Sequence, residues 1–246
     1  MAGGHGPLDQ FRIKSWAELP PLFGEYNIDF TNSAFFMCLA TGLTIFFMMM
    51  GMRGRALVPG RWQSMVELSY QFIATTVRDN VGTAGKPYFP LVFTLFMFVL
   101  MCNLLGMMPY AFTATSHIIV TFALAMFVFV GVTLLAFFKH GFKFFGFFLP
   151  AGTPWWMAPM MILIELVSYL SRPISLSIRL CANMSAGHIV MKIFAGFIMM
   201  MSIAGVVPFA LLVVLTGFEI GIAILHAYIF TVLSCVYLND ALHLHH

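Results

Sequence analysis

An apolar segment from about residue 155 to residue 204 carries a row of polar and charged side chains at helical spacing. At about 100° per residue, these side chains fall within a sector of about 80° on one helix face. They are Glu165, Ser168, Arg172, Ser175, Arg179 and Asn183. The presence of Arg179 in an apolar segment needs an explanation, because a guanidinium stays charged at accessible pH and costs several kcal/mol to place in a membrane.

A second group of ionisable side chains lies beyond this stripe. His188 follows Arg179 by nine residues and so points to the opposite side of the helix, while Glu219 and His226 share a face of the last apolar segment, with Ser234 on the same side. Histidine and glutamate exchange protons near neutral pH, whereas arginine does not. The combination predicts a proton path with a fixed positive charge at its end, where a partner carboxylate would be attracted and kept deprotonated.

Composition excludes an ordinary soluble domain. The chain has 246 residues, of which 61% are hydrophobic and only 9% charged, whereas soluble domains carry about 25% charge. The net charge of +3 is small and forms no basic face, so nucleic acid is not an expected partner. The basic residues between apolar segments instead indicate membrane topology; they are Arg53, Arg55, Arg61, Lys139 and Lys143.

The hydropathy pattern predicts an all-α integral membrane protein of about five membrane helices and one amphipathic helix. Upright spans are expected at 33–52, 88–108 and 118–138, and the amphipathic helix at 61–82. The basic loops place that helix on the n-side (cytoplasm or matrix), the N-terminus on the opposite p-side and the C-terminus on the n-side.

The last two apolar segments are too long for upright spans. A helix of about 50 residues is about 75 Å long, whereas the hydrocarbon layer is about 30 Å thick. We therefore expect a long, tilted hairpin at 155–242 with its hinge at 205–208. One membrane domain, 1–246, is predicted, with a polar p-side segment at 1–32, peripheral helices at 33–150 and an ion-conducting hairpin at 151–246.

The motif around Arg179 is distinctive. Residues 175–188 read SLSIRLCANMSAGH; IELVSYLSRP precedes them, LHAYIFTVLSCVYL follows at 225–238, and MCNLLGMMP lies at 101–109. These segments closely resemble subunit a of F-type ATP synthases, and the resemblance runs from the first span to the C-terminus. It implies a stator that holds a rotor, the c-ring, against two offset half-channels, with the tilted helix following the ring.

The resemblance also implies roles for single residues. Arg179 stands at the position of the family's essential arginine, facing the rotor carboxylate. The remaining matches are Asn183, His188 and Glu219 for the p-side half-channel, and Glu165, Ser168 and Ser175, with Asp79 as a further candidate, for the n-side half-channel.

Two departures from the family pattern concern the p-side path. Many members have glutamine where this chain has His226, which therefore either relays protons or replaces the hydrogen bonds of the amide. Some members have an acid where this chain has Gly106, so p-side access is expected to use Asn103 and His117.

The partners implied are the c-ring, peripheral-stalk b-type subunits, the rest of the F-type ATP synthase and membrane lipid. No cofactor or metal is expected, and the chain is not an enzyme by itself. The expected location is an energy-transducing inner membrane, bacterial in preference to mitochondrial.

Other interpretations remain open at this stage. A secondary transporter that binds an anionic substrate at Arg179 would be expected to show an internal repeat and paired broken helices, which the sequence lacks. An intramembrane hydrolase would need a motif such as HExxH or GxSxG, and neither is present. The serines of the stripe could simply bond to carbonyls one turn back, and Asn183 could join two helices.

Overall fold

The computed structural model describes residues 15–17, 29–53, 58–108, 111–141, 144, 146, 154, 156–201 and 205–243. Its helices are α1 Asn32–Met52, α2 Arg61–Val81, α3 Phe89–Gly106, α4 Ile118–His140, α5 Ala158–Met201 and α6 Val206–Leu242. Two 3-10 segments, Gly82–Tyr88 and Ala114–Ser116, join α2 to α3 and precede α4. A short antiparallel pair, β1 Ser15–Ala17 and β2 Phe30–Thr31, precedes α1. Most of the predicted 1–32 segment, together with Arg55 and Lys143, lies outside the described residues.

The prediction of an all-helical membrane protein is confirmed. Within the described residues, five helical stretches are long and apolar enough to cross a membrane: 32–52, 61–106, 118–140, 158–201 and 206–242. In the 61–106 stretch the apolar part is α3, because α2 carries charged side chains along its exposed side. The upright spans expected from hydropathy therefore match α1, α3 and α4 closely.

Helix α2 is amphipathic, as its sequence predicts. Val66, Ile73 and Val77 recur at helical spacing and are buried, while Glu67 and Arg78 are exposed. The buried side packs against α1, α3 and α6. The apolar face of α2 thus packs on the interior of the protein, and its charged side chains lie on the exposed face.

Two helices are followed by a glycine with a positive φ, a conformation that favours glycine. Gly82 follows α2 with φ of 73° and Gly141 follows α4 with φ of 57°. Other residues rarely adopt a positive φ, so glycine at these positions lets the chain leave each helix without strain. At the start of α1, the Thr31 hydroxyl accepts a hydrogen bond from the backbone N–H of Ala34 at 3.3 Å.

The main hydrophobic core lies where α3 meets α6 and α2. Ile73 of α2, Met97 and Val99 of α3 and Phe230 of α6 are almost completely buried. In a bilayer the alternative to such burial is contact with lipid, so close van der Waals packing between the helices supplies the stabilisation. This packing holds α6 against α3 and so positions the polar groups of α6.

Helices α5 and α6 form the long pair predicted at the C-terminal end. They have 44 and 37 residues, which corresponds to about 66 and 56 Å of helix. The predicted hinge matches the boundary, because α6 begins at Val206 and Pro208 lies in its first turn. At Gly205 the backbone passes so close to α5 that an added Cβ would lie 2.8 Å from the Ile198 carbonyl oxygen.

Helix α4 packs against both long helices. The hydroxyls of Thr133 and Tyr169 are 2.7 Å apart. Lys139 Nζ donates to the Leu242 carbonyl at 3.1 Å, and the His140 ring contacts the Ala241 carbonyl at the same distance. The basic end of α4 thereby satisfies carbonyls at the end of α6, where cations are favoured.

Candidate functional site

Most of the polar stripe of α5 lies on the side that no other described helix covers. Ser168, Ser175, Arg179 and Asn183 are exposed, and Glu165 is half-buried. The opposite side of the helix packs inward through a separate set of apolar residues, namely Leu176, Leu180 and Met184. The stripe is therefore available to a partner or to water.

The two arginines of the stripe have different environments. Arg172 Nη1 lies 2.8 Å from Asp240 Oδ2, and its guanidinium lies 5.6 Å and 5.4 Å from the ring centres of Tyr169 and Tyr237. Within the described residues, no hydrogen bond or ion pair reaches the guanidinium of Arg179. The charge of Arg172 is balanced inside the chain, whereas that of Arg179 has no such internal counter-ion.

The two serines of the stripe differ from their neighbours, which donate hydrogen bonds to carbonyls one turn back. Ser171 donates to the Ser168 carbonyl and Ser177 to the Ile174 carbonyl. The hydroxyls of Ser168 and Ser175 make no such bond among the described residues, so the simple back-bonding interpretation does not account for them. Ser234 on α6 follows that interpretation, because it donates to the Phe230 carbonyl at 2.8 Å.

His188 and Glu219 meet between α5 and α6. His188 Nδ1 lies 3.9 Å from Glu219 Oε1, and only 7% and 6% of the two side chains are exposed. Gly187 makes this approach possible, since an added Cβ there would overlap the Glu219 carboxylate. The tertiary structure thus brings together an imidazole and a carboxylate that are far apart in sequence.

Asn103 of α3 contacts α6 one turn beyond Glu219. Its Nδ2 donates to the Ala223 carbonyl at 3.1 Å, and Ala223 lies between Glu219 and His226 along the helix. Asn103, Glu219 and His226 are all buried. Four of the predicted p-side residues therefore lie at one interface of α3, α5 and α6: Asn103, His188, Glu219 and His226.

Several buried polar atoms at this interface have no hydrogen-bond partner among the described residues. They are Asn103 Oδ1, both carboxylate oxygens of Glu219 and His226 Nε2. An unsatisfied buried polar atom costs about 1–3 kcal/mol, and native proteins rarely leave one without a protein or water partner. Such a group of atoms is suited to bind water molecules and to exchange protons through them.

The loop between α3 and α4 supplies Thr113, which the sequence analysis did not identify. Its Oγ1 lies 3.0 Å from His188 Nε2 and donates to the Gly106 carbonyl at 3.3 Å. An added Cβ at Gly106 would lie 2.6 Å from Thr113 Cγ2, so the position where some family members have an acid is filled here by the threonine. A threonine in a loop gives no sequence signal that connects it to a histidine 75 residues later.

His117 lies at the start of α4, close to the same loop. Its ring stacks on Phe112 with ring centres 4.9 Å apart, and its buried Nε2 has no hydrogen-bond partner within the described residues. Burial lowers the pKa of His117 from its ordinary value of 6.5, so the imidazole is neutral at pH 7. The role of His117 in p-side access stays a prediction.

The n-side candidates are not brought together in the same way. Glu165 lies near the start of α5, while Asp79 is exposed on α2, which packs against α1, α3 and α6. Asp240, another carboxylate that the sequence analysis missed, is the ion-pair partner of Arg172. Among the described residues, no three His, Cys, Asp or Glu side chains come together as metal ligands.

Together, the helical spans, the exposed arginine and the buried ionisable groups define a multi-pass membrane protein with polar side chains between its helices. The chain belongs to the ATP synthase subunit a family. The family model described as ATP synthase A chain matches residues 34–239. This membership counts against the secondary transporter and the intramembrane hydrolase considered above.

Three curated relatives agree in name and match almost end to end. ATP synthase subunit a of Ehrlichia ruminantium (strain Welgevonden) is 54% identical over 240 residues, which cover 97% of this chain and 98% of the relative. The same subunit of Ehrlichia canis (strain Jake) is 53% identical with the same coverage. That of Paramagnetospirillum magneticum (strain ATCC 700264 / AMB-1) is 52% identical over 246 residues, 97% of this chain and 99% of the relative.

Proposed function

We propose that the chain conducts protons through the membrane sector of an F-type ATP synthase, along two offset half-channels separated by Arg179. The single observation that carries this proposal is the state of Arg179: an exposed cation on an apolar helix, with no hydrogen bond or ion pair to any described residue. Such a charge is costly in a membrane unless an external carboxylate balances it. A carboxylate on each subunit of a c-ring would supply that counter-ion.

The permanent charge of Arg179 would keep the two half-channels separate. It repels a hydronium ion and so blocks direct passage between the half-channels, and it favours the ionised form of an approaching carboxylate. A protonated rotor site would move away into lipid, while an ionised site would stay beside the arginine. Each proton crossing the membrane potential releases about 2.3 kcal/mol per 100 mV, which is the energy that would bias rotation.

The p-side half-channel would use the buried interface of α3, α5 and α6. His188 and Glu219 lie 3.9 Å apart, so a small movement of either side chain would bring Nδ1 and Oε1 within hydrogen-bond distance. Asn103 and His226 continue the row of buried polar atoms. Asn183, one turn beyond Arg179 on the exposed stripe, would connect this row to the rotor.

The n-side half-channel would use the other end of the stripe. Glu165 is half-buried, and the hydroxyls of Ser168 and Ser175 remain available to water. Asp79 is the weakest member of this proposal, because it lies on α2 rather than on the stripe. With these roles the chain is a channel subunit, and ATP would be made elsewhere in the complex.

The partners proposed are the c-ring at the exposed stripe, peripheral-stalk b-type subunits and the remaining synthase subunits, with lipid around the apolar helices. An energy-transducing inner membrane is the proposed location, and a bacterial one is favoured because the three relatives come from bacteria. The proposed orientation has the N-terminus on the p-side and the C-terminus on the n-side.

Substitution of Arg179 tests the proposal. Arg179→Ala should abolish ATP-driven proton pumping and ATP synthesis by the assembled complex in vesicles, and should allow passive proton leakage. Arg179→Lys should fail as well, because a desolvated ammonium can lose its proton and lacks the planar fork of the guanidinium. Arg172→Lys is the matched control, since that position is ion-paired within the chain. ATP synthesis at the wild-type rate in either Arg179 variant would refute the proposed role.

The sidedness of the two half-channels is tested separately. Single cysteines placed at Glu165 and at Asn183, in a background without the native cysteines, would be labelled with membrane-impermeant thiol reagents from each side of the membrane. We expect n-side access at position 165 and p-side access at position 183. The opposite pattern would reverse the topology proposed here.

A further inference from the structure

Thr113 contacts His188 directly. It lies in the loop between α3 and α4 and is buried, with only 5% of its surface exposed. Its hydroxyl contacts two groups, the Gly106 carbonyl oxygen at 3.3 Å and His188 Nε2 at 3.0 Å. Thr113 thus joins the end of α3 to the middle of α5.

The direction of these hydrogen bonds follows from counting donors. A hydroxyl has one hydrogen, and a carbonyl oxygen only accepts. Both contacts are hydrogen bonds only when Thr113 donates its hydrogen to the Gly106 carbonyl and His188 Nε2 carries a hydrogen that it donates to Thr113 Oγ1. Nε2 therefore stays protonated in the neutral and in the charged imidazole.

The other ring nitrogen of His188 faces the carboxylate. Nδ1 lies 3.9 Å from Glu219 Oε1, and in the neutral ring it presents a lone pair to that oxygen. We propose that Thr113 is a positioning residue that fixes His188 in the Nε2–H tautomer and so makes Nδ1 the atom that takes and passes on the relayed proton. This inference rests on the proposed p-side route through His188 and Glu219.

The proton transfer balances when Nδ1 takes the proton from one partner and gives it to another. After Nδ1 and Oε1 close from 3.9 Å to hydrogen-bond distance, the O–H bond of a protonated Glu219 breaks and the Nδ1–H bond forms, which leaves a carboxylate and an imidazolium. The Nδ1–H bond then breaks as a water molecule in the path accepts the proton, and the imidazole is neutral again. Thr113 keeps its bond to Nε2–H throughout, so Nδ1 is the ring nitrogen that exchanges the proton.

Gly106 is the second part of this arrangement. Thr113 Oγ1 would lie only 2.7 Å from a Cβ added at position 106, so any larger residue would displace the hydroxyl. The absence of a side chain at Gly106 thus leaves room for the Thr113 hydroxyl beside the Gly106 carbonyl.

Two variants of Thr113 separate the role of the hydroxyl from that of its shape. Thr113→Val keeps the branched side chain and removes the hydroxyl, while Thr113→Ser keeps the hydroxyl. Proton flux through the membrane sector would be measured in vesicles that contain the assembled complex. We expect the valine variant to lose flux about tenfold, as the loss of one positioning hydrogen bond allows, and the serine variant to stay near wild type.

A second measurement reports the tautomer itself. Nitrogen NMR of the complex with ¹⁵N-labelled histidine distinguishes a ring nitrogen that carries hydrogen from one that does not, and the His188 signals would be assigned from their loss in His188→Gln. In the wild type and in Thr113→Ser, neutral His188 should carry its hydrogen on Nε2. In Thr113→Val a second population with the hydrogen on Nδ1 should appear.

The outcomes distinguish this inference from the proposed function. An Nδ1–H tautomer in the wild type, or an unchanged tautomer in Thr113→Val, would overturn the positioning role whatever the flux. Equal loss of flux in the serine and valine variants would also overturn it, because shape rather than the hydroxyl would then matter. A changed tautomer with unchanged flux would uphold the hydrogen-bond assignment and contradict the p-side route through His188.

Discussion

The contact between Gly187 and Glu219 allows a precise test of the buried relay. Gly187→Ala would add one methyl group to α5, where alanine is otherwise favoured over glycine by about 0.5–1 kcal/mol. The added Cβ would overlap Glu219 Oε1 and would lie 2.8 Å from Cδ, whereas ordinary contact begins at 3.4 Å. The carboxylate must therefore move away from α5, and the helix itself has no reason to unfold.

The size of the effect follows from the distance to His188. The Nδ1–Oε1 separation is 3.9 Å, and a displacement of about 1 Å would raise it to about 4.9 Å. At an effective dielectric constant of about 20, the attraction between the charged forms would fall by about 0.9 kcal/mol, or about fivefold in an equilibrium. Poorer proton-transfer geometry adds to this loss, so we expect proton flux to fall at least about fivefold.

The assay is ATP-driven acidification of vesicles that contain the assembled complex, followed with a pH-sensitive dye. Gly131→Ala on α4 is the matched control, because an added Cβ there meets nothing within 4 Å. The amount of assembled complex would be measured in both variants, so that loss of assembly is not mistaken for loss of flux. Wild-type flux in Gly187→Ala would refute the reasoning that the Glu219 position controls the relay.

Further predictions concern single residues around the site. His226→Gln should leave the pH profile of proton flux unchanged between pH 5.5 and 8.5 if the histidine only forms hydrogen bonds; a shifted profile would instead indicate a relay role. Burial lowers the pKa of His117 below 6.5. The proton flux of His117→Gln should therefore match that of the wild type above about pH 6.5 and differ only at lower pH, where the wild-type imidazole becomes charged. A difference in flux confined to higher pH would contradict this. Asp240→Ala should lower the melting temperature of the complex, by the loss of a charged hydrogen bond worth about 1.5–3 kcal/mol, and Asp240→Asn by less; equal stability would exclude a structural role for the ion pair.

The sequence by itself predicted the helices and the polar stripe. Apolar runs of membrane length gave the boundaries of α1, α3 and α4 within a few residues, because hydropathy is a local property of the chain. Helical periodicity correctly placed Arg179 and His188 on opposite sides of α5, since the angle per residue is fixed by the backbone. Residues 219 and 226 were likewise expected on one face of the last helix, and both are buried.

The tertiary structure decided which of these groups meet. Arg172 and Arg179 are equivalent by type and spacing, yet only Arg172 finds a carboxylate, Asp240, because α5 and α6 run side by side at that level. Thr113 reaches His188 only because the loop before α4 packs against Gly106. Local periodicity fixes the face on which a side chain lies, but contacts between distant segments depend on how whole helices pack, and that packing is set by the shape of the core as a whole.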